Sequence, residues 1–270
     1  MMRVAAMMMM AIAIAMPATA QDAAPQMSVR PSPRPGNAPT AAVPQQAPPQ
    51  PVGDKTDSGV DQSPAQKAGR RELLRLGEAE YASCLASLRK LEVVYEEVEA
   101  VVPDDDVDCG ILQPIKVSEI APGIALVPPA VIRCPTAQAL AAWVKDFVVP
   151  AAARLEGRGT LTAIENGSGY MCRRRNNLSD GALSEHAFGN AFDVMGFRFE
   201  QGAPLMIGSG KAQDSLASAF QDAVRASACL DFSTVLGPGS NTSHDDHLHL
   251  DIMARDNGFR LCELGGAAQK

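Results

Sequence analysis

Six cysteines, Cys84, Cys109, Cys134, Cys172, Cys229 and Cys262, constrain this chain more than any other feature of its sequence. They are even in number, none forms a C-x-x-C pair, and all lie beyond residue 80. That pattern reads as a framework of three disulfides made in an oxidising compartment, not as a redox motif or a zinc ribbon. Fifteen pairings are open to six cysteines. The sequential one, 84–109, 134–172 and 229–262, closes short loops and is the expected arrangement.

The amino terminus agrees with export. In MMRVAAMMMMAIAIAMPATA a single Arg3 precedes an apolar run, and Ala18-Thr19-Ala20 supplies small residues before Gln21. This is the layout of a signal peptide over residues 1–20, cleaved after Ala20. The apolar run is too short, and too near the terminus, to favour a membrane span. With no Cys following it, lipid attachment there is not expected. The chain is therefore expected to be periplasmic or otherwise exported, with no membrane span once the signal is removed.

Residues 21–70 read as a proline-rich linker. From 21 to about 66 the chain carries ten of its twenty prolines and no Phe, Tyr, Trp or Leu. Such a stretch has too little apolar surface to offset the entropy of ordering it, and is expected to be disordered and partly polyproline-like. Residues 71–270 turn globular and suffice for one domain with a sizeable core. A net charge of -7 and an aromatic content of 4% argue against nucleic acid, which calls for a basic face and stacking platforms.

RRELLRLGEAEYASCLASLRKL has Leu74, Tyr81, Leu85 and Leu88 at helical spacing, and VVYEEVEAVV either extends that helix or forms a strand. In CPTAQALAAWVKDFVVPAAARLEG, Pro135 suits a helix start, Leu140, Trp143, Val144 and Phe147 form a stripe, and Pro150 should kink or divide the helix. GTLTAIENG reads as a strand entering a turn, and KAQDSLASAFQDAVRASACL as a further helix. The acidic PDDDVDCG spaces Asp104, Asp106 and Asp108 as a calcium loop might. Its glycine is one place late, however, and Ile115 stands where the closing Glu belongs, so a solvated turn is expected.

The chain has only four histidines: His186 in LSEHAFGNAFDV, and His244, His247 and His249 in HDDHLHLD. HLHLDIM alternates with period two, placing His247, His249 and Asp251 on one strand face and Leu248, Leu250 and Ile252 on the other. NAFDVMGF is a second short strand, with Asp193 opposite Phe192 and Val194. Catalytic zinc usually takes three His or carboxylate ligands plus an open position. His186 and Asp193, separated by a turn around Gly189, could join the strand histidines in such a set, with Asp245, Asp246 and Asp251 near enough to fix imidazole tautomers.

Ser184-x-His186-x-x-Gly189-x-Ala191-x-Asp193 followed by His247-x-His249 resembles the signature of the zinc peptidases grouped around lysostaphin, the D-alanyl-D-alanine carboxypeptidases and the hedgehog amino-terminal domain. His244, three residues before the His-x-His, is similar to the penicillin-insensitive murein endopeptidase variant. GSGYMCRRRNN, LSEHAFGNAFDV and LGPGSNTSHDDHLHLD also resemble the extensin-like C-terminal domain of exported bacterial proteins, over about residues 80–265. The resemblance implies that His186, Asp193 and His249 bind Zn2+, and that His247 hydrogen-bonds the oxyanion or the attacking water. It also implies that His244 is the general base, with Asp246 a rival, and that Arg173 steadies the substrate, with Arg174 and Arg175 as alternatives.

The expected fold is α+β: a small, mainly antiparallel sheet carrying a zinc site, flanked by helices and stapled by disulfides. The expected activity is hydrolysis of amide bonds in peptidoglycan stem peptides or cross-links. The competing expectation is a non-catalytic zinc domain that binds cell wall or protein, in which His247 or Asp251 closes the fourth metal position.

Overall fold

The computed structural model describes residues 69–263 except 105, 107 and 209–214. The signal peptide and nearly all of the linker lie outside the described residues. No described helix is long and apolar enough to cross a membrane.

The fold is mixed α/β, and among the described residues nine strands form one sheet. In chain order they are β1 (Val94–Glu97), β2 (Pro114–Ala121), β3 (Ile124–Arg133), β4 (Leu161–Ser168), β5 (Ala191–Phe199), β6 (Leu205–Met206), β7 (Thr234–Leu236), β8 (Leu248–Asp251) and β9 (Leu261–Cys262). Their spatial order is β1-β2-β3-β4-β5-β8-β7-β9, with β6 paired to β5. Only the β3–β4 and β7–β9 pairs are parallel. The sheet is mainly antiparallel as expected, but it is larger than the small platform expected from sequence. The β2–β3 hairpin around Pro122-Gly123 extends it past β4, beyond the site-bearing strands.

The first helical stretch is interrupted. Helix α1 (Arg70–Leu73) stops, and α2 (Glu78–Lys90) restarts after Gly77, whose amide is capped by Glu80 at 3.2 Å. Between them the backbone of Leu76 pairs with the Gln113 amide at 2.9 and 3.2 Å, exchanging helical bonds for tertiary ones. VYEE resolves as strand β1. Helix α3 (Cys134–Trp143) begins at the expected proline. A wider turn at Val144–Val148 then leads into α4 (Val149–Ala152), because Pro150 has no N–H to continue a regular ladder. The last helix, α5, spans Ser215–Asp231.

The apolar sides of α2, α3 and α5 meet the sheet in one core. Trp143 is fully buried, donates its indole N–H to the Val224 carbonyl at 3.0 Å, and packs near Phe197 and Phe232. Phe192, Val194, Leu248 and Leu250 face this core, so the alternation read in both site strands holds.

The disulfide pairing is 84–134, 109–172 and 229–262. Only the last matches the sequential arrangement. Packing of α2 against the start of α3 sets Cys84 beside Cys134, with Cα atoms 6.2 Å apart, and loop length gives way to that contact. In the acidic turn the Asp106 carboxylate accepts the Asp108 amide at 3.1 Å, a local turn bond and not a cage.

Candidate metal centre

Antiparallel register builds the site. Asp193 on β5 lies directly opposite His249 on β8, and Ser168 at the end of β4 is the next partner of Asp193. His186 comes from a single tight turn, Glu185–Phe188, which ends at Gly189 with φ of 64°. A Cβ there would lie 2.4 Å from Ile111 Cδ1 and 3.2 Å from the Arg133 amide, so both backbone angle and space call for glycine.

Three ligand atoms converge. His186 Nε2 lies 3.1 Å from Asp193 Oδ1 and 3.1 Å from His249 Nδ1, and His249 Nδ1 lies 3.0 Å from Asp193 Oδ1. All three residues are buried. Both imidazoles have their other nitrogen committed. His186 Nδ1 donates to the Gly169 carbonyl at 2.7 Å, and His249 Nε2 faces Asp251 Oδ2 at 3.3 Å. Two ring lone pairs and a carboxylate oxygen therefore point at one spot, an arrangement that repels itself unless a proton or a cation sits there.

A proton on His249 would meet the same need. Burial alone would lower the His249 pKa, but hydrogen bonds to Asp193 and Asp251 raise it to about 9. Burial would raise Asp193, yet bonds from His186 and His249 hold it far below the usual carboxylate range. The donor set also fits a metal. A tetrahedral ion with bonds of about 2.0–2.1 Å spaces its ligand atoms by about 3.3–3.4 Å, so this triangle needs to open by only about 0.3 Å.

The remaining candidates fall around this triangle. His244 Nδ1 donates to Asn241 Oδ1 at 2.7 Å, and its ring centre is 5.6 Å from that of His249. Burial, then repulsion from His249 and His247, pushes its pKa down to about 4. His247 stands just before β8, with Nδ1 on Asp246 at 2.8 Å and Nε2 3.8 Å from Asp193 Oδ1. A cleft of about 180 Å³ opens beside His244 and His249, and Arg173, Arg175 and Arg255 are among its walls. Arg174 instead reaches the Gly181 carbonyl at 2.6 Å, tying its own loop. Of the three acidic residues read as imidazole partners, Asp251 and Asp246 serve His249 and His247, whereas Asp245 accepts from the Gly239 amide at 3.5 Å.

Sequence reasoning missed Asn241, the Gly169 carbonyl and above all Glu185, a buried carboxylate next to His186. Backbone carbonyls leave no mark in a sequence. Glu185 had one signal, an acid directly beside His186 in a turn that also carries Ala187 and Phe188. The second described group of metal-capable side chains, Asp106, Cys109 and Cys172, is spent on a disulfide.

A family model described as Extensin-like protein C-terminus matches residues 82–263. Neither the curated proteins nor the solved structures contain a match to the chain.

Proposed function

The chain belongs to the extensin-like C-terminal family, and from its three-ligand centre we propose that it is an exported zinc metallopeptidase acting on amide bonds of peptidoglycan peptides. The observation that carries this reading is the convergence of His186 Nε2, Asp193 Oδ1 and His249 Nδ1, with the outer ring nitrogens already hydrogen-bonded. Three disulfides and the lack of a membrane-crossing helix among the described residues are compatible with export after cleavage at Ala20.

His186, Asp193 and His249 would hold the zinc. A zinc ion supplies Lewis acidity, making water acidic near neutral pH and polarising a carbonyl. His244 keeps its proton on Nδ1 against Asn241, which leaves Nε2 with a lone pair to accept a proton from water. Asp246 is the weaker base candidate, because its side chain is 76% exposed and already paired with His247. In its protonated form His247 donates from both nitrogens, to Asp246 and toward developing negative charge. Arg173 lines the cleft and spends its guanidinium on a long 3.5 Å bond to the Arg174 carbonyl, which leaves it able to orient a substrate carbonyl or carboxylate.

The non-catalytic alternative needs a fourth protein ligand. Asp251 sits behind the His249 ring, on its Nε2, and so does not face the centre. That takes Asp251 out of the fourth position and favours the enzyme; His247, with Nε2 3.8 Å from Asp193 Oδ1 and Nδ1 held by Asp246, is the remaining candidate to close it. The test is digestion of isolated peptidoglycan by the zinc-loaded protein and by His249→Ala, with released muropeptides identified by mass. The wild type is expected to release peptides and retain about one zinc per chain. No release, or equal release by both proteins, refutes the reading.

A further inference from the structure

The turn that carries His186 is gripped from behind by a segment outside the matched family span. Residues 69–77 form a strap fixed at several points to that turn and to the loops and strand ends around it. Arg70 reaches Glu185 with contacts of 2.8 and 3.0 Å, and its guanidinium carbon lies 4.9 Å from the centre of the Phe188 ring. Arg71 donates to the Cys109 carbonyl at 2.9 Å, while the neighbouring Gly110 amide donates to the Ala187 carbonyl, also at 2.9 Å. Arg133 joins the Leu74 carbonyl to Asn190 Oδ1.

Glu185 is the centre of this arrangement. Its side chain is 2% exposed and immediately precedes His186. One carboxylate oxygen accepts Asn190 Nδ2 at 3.0 Å, and the Asn190 amide donates to the Glu185 carbonyl, also at 3.0 Å. Asn190 leads directly into β5, three residues before Asp193. A single carboxylate thus clamps the turn bearing one proposed ligand to the strand bearing another. A carboxylate this buried holds its place only while its charge is matched. Arg70 supplies the closest match; Arg133, largely buried, adds a longer-range attraction, and Arg175 is 3.8 Å away and half-exposed.

We propose that Arg70, acting through Glu185, is a positioning residue for the metal centre, so that the strap is part of the site and not merely the end of the linker. The inference rests on the metal reading of the triad but not on peptidase activity. It concerns the angle at which His186 is presented, and so it is read in metal binding.

The experiment uses the disulfide-bonded chain from Gln21 onward. Zinc affinity is measured by chelator competition for wild type, Arg70→Gln, Arg70→Lys, Glu185→Gln and the double variant Arg70→Gln/Glu185→Gln. Visible absorption of the cobalt(II)-loaded proteins reports ligand geometry. Arg70→Gln is expected to weaken zinc binding by up to about 10-fold, the low end of the range for groups bonded directly to metal ligands, because Arg70 acts through Glu185. It should also change the cobalt spectrum, and Arg70→Lys should restore part of both. The double variant should bind no more weakly than Glu185→Gln alone, because removing the buried charge removes the need for Arg70.

Wild-type affinity and an unchanged cobalt spectrum in Arg70→Gln, with only a lower melting temperature, would overturn the proposal. So would losses from the two single changes that multiply in the double variant. A wild type that binds zinc tightly but releases nothing from peptidoglycan sinks the peptidase reading and leaves this inference intact.

Discussion

Removing the Cys109–Cys172 bridge should be the most destabilising loss among loop connections near the site. Its cysteines are 63 residues apart in sequence. Closing a loop of that length removes about 14 cal/mol/K of denatured-state entropy, or about 4 kcal/mol at 25 °C. The interleaved Cys84–Cys134 bridge offers no shorter route. Passing from Cys109 back to Cys84, across, and on from Cys134 to Cys172 covers the same number of residues. For a domain of this size, a loss of that order lowers the melting temperature by about 8–16 °C. Cys109 packs with Ala187 and Phe188 beside the His186 turn, and Cys172 immediately precedes Arg173. The same bond therefore moors the arginine loop to the turn that carries His186. Cys109→Ala/Cys172→Ala should accordingly raise KM for a peptide substrate more than it lowers kcat. Urea denaturation of oxidised wild type and double variant measures the stability, and non-reducing peptide mapping checks the pairing. A loss below about 1 kcal/mol at unchanged m-value, or recovery of a Cys84–Cys109 cross-linked peptide, would refute the reasoning.

Two further outcomes test the site itself. Asp251→Asn removes the carboxylate facing His249 Nε2 and should weaken zinc binding about 10- to 100-fold in chelator competition, while circular dichroism stays native. On peptidoglycan fragments, His244→Ala should lower kcat about 10²- to 10⁴-fold, whereas Asp246→Ala, which releases only the His247 tether, should cost much less; the reverse order would make Asp246 the base.

The two site strands were legible because around the site apolar side chains alternate with polar ones, so a period of two shows in the sequence although both faces are buried there. Phe192, Val194, Leu248 and Leu250 mark the core face, and the opposite face follows by alternation. The β2–β3 hairpin gave no such signal. IALVPPAVIR carries two prolines, and both it and its partner strand mix buried and exposed positions irregularly where the register shifts. The break at Leu74–Gly77 was also hidden, since apolar spacing continues through it. What stops the helix is Gln113, 37 residues away, offering the Leu76 backbone a donor and an acceptor.

The same division explains what could be read of the site. Ligands are named by residue type and spacing, and His186, Asp193 and His249 do meet, because a tight turn and an antiparallel register convert spacing into position. Their supports come from long-range contacts that spacing does not encode. Asn241 holds His244, a backbone carbonyl holds His186, and Arg70 reaches Glu185 across 115 residues of sequence. The disulfides failed for that reason too: the loop-closure argument ranks pairings by the unfolded chain, whereas the contact between α2 and α3 ranks them by the folded one. A site of this kind is therefore specified twice, once by a short motif that sets the chemistry and once by distant charged residues that fix its angle. Substitutions of the second sort are the ones a motif search would pass as harmless.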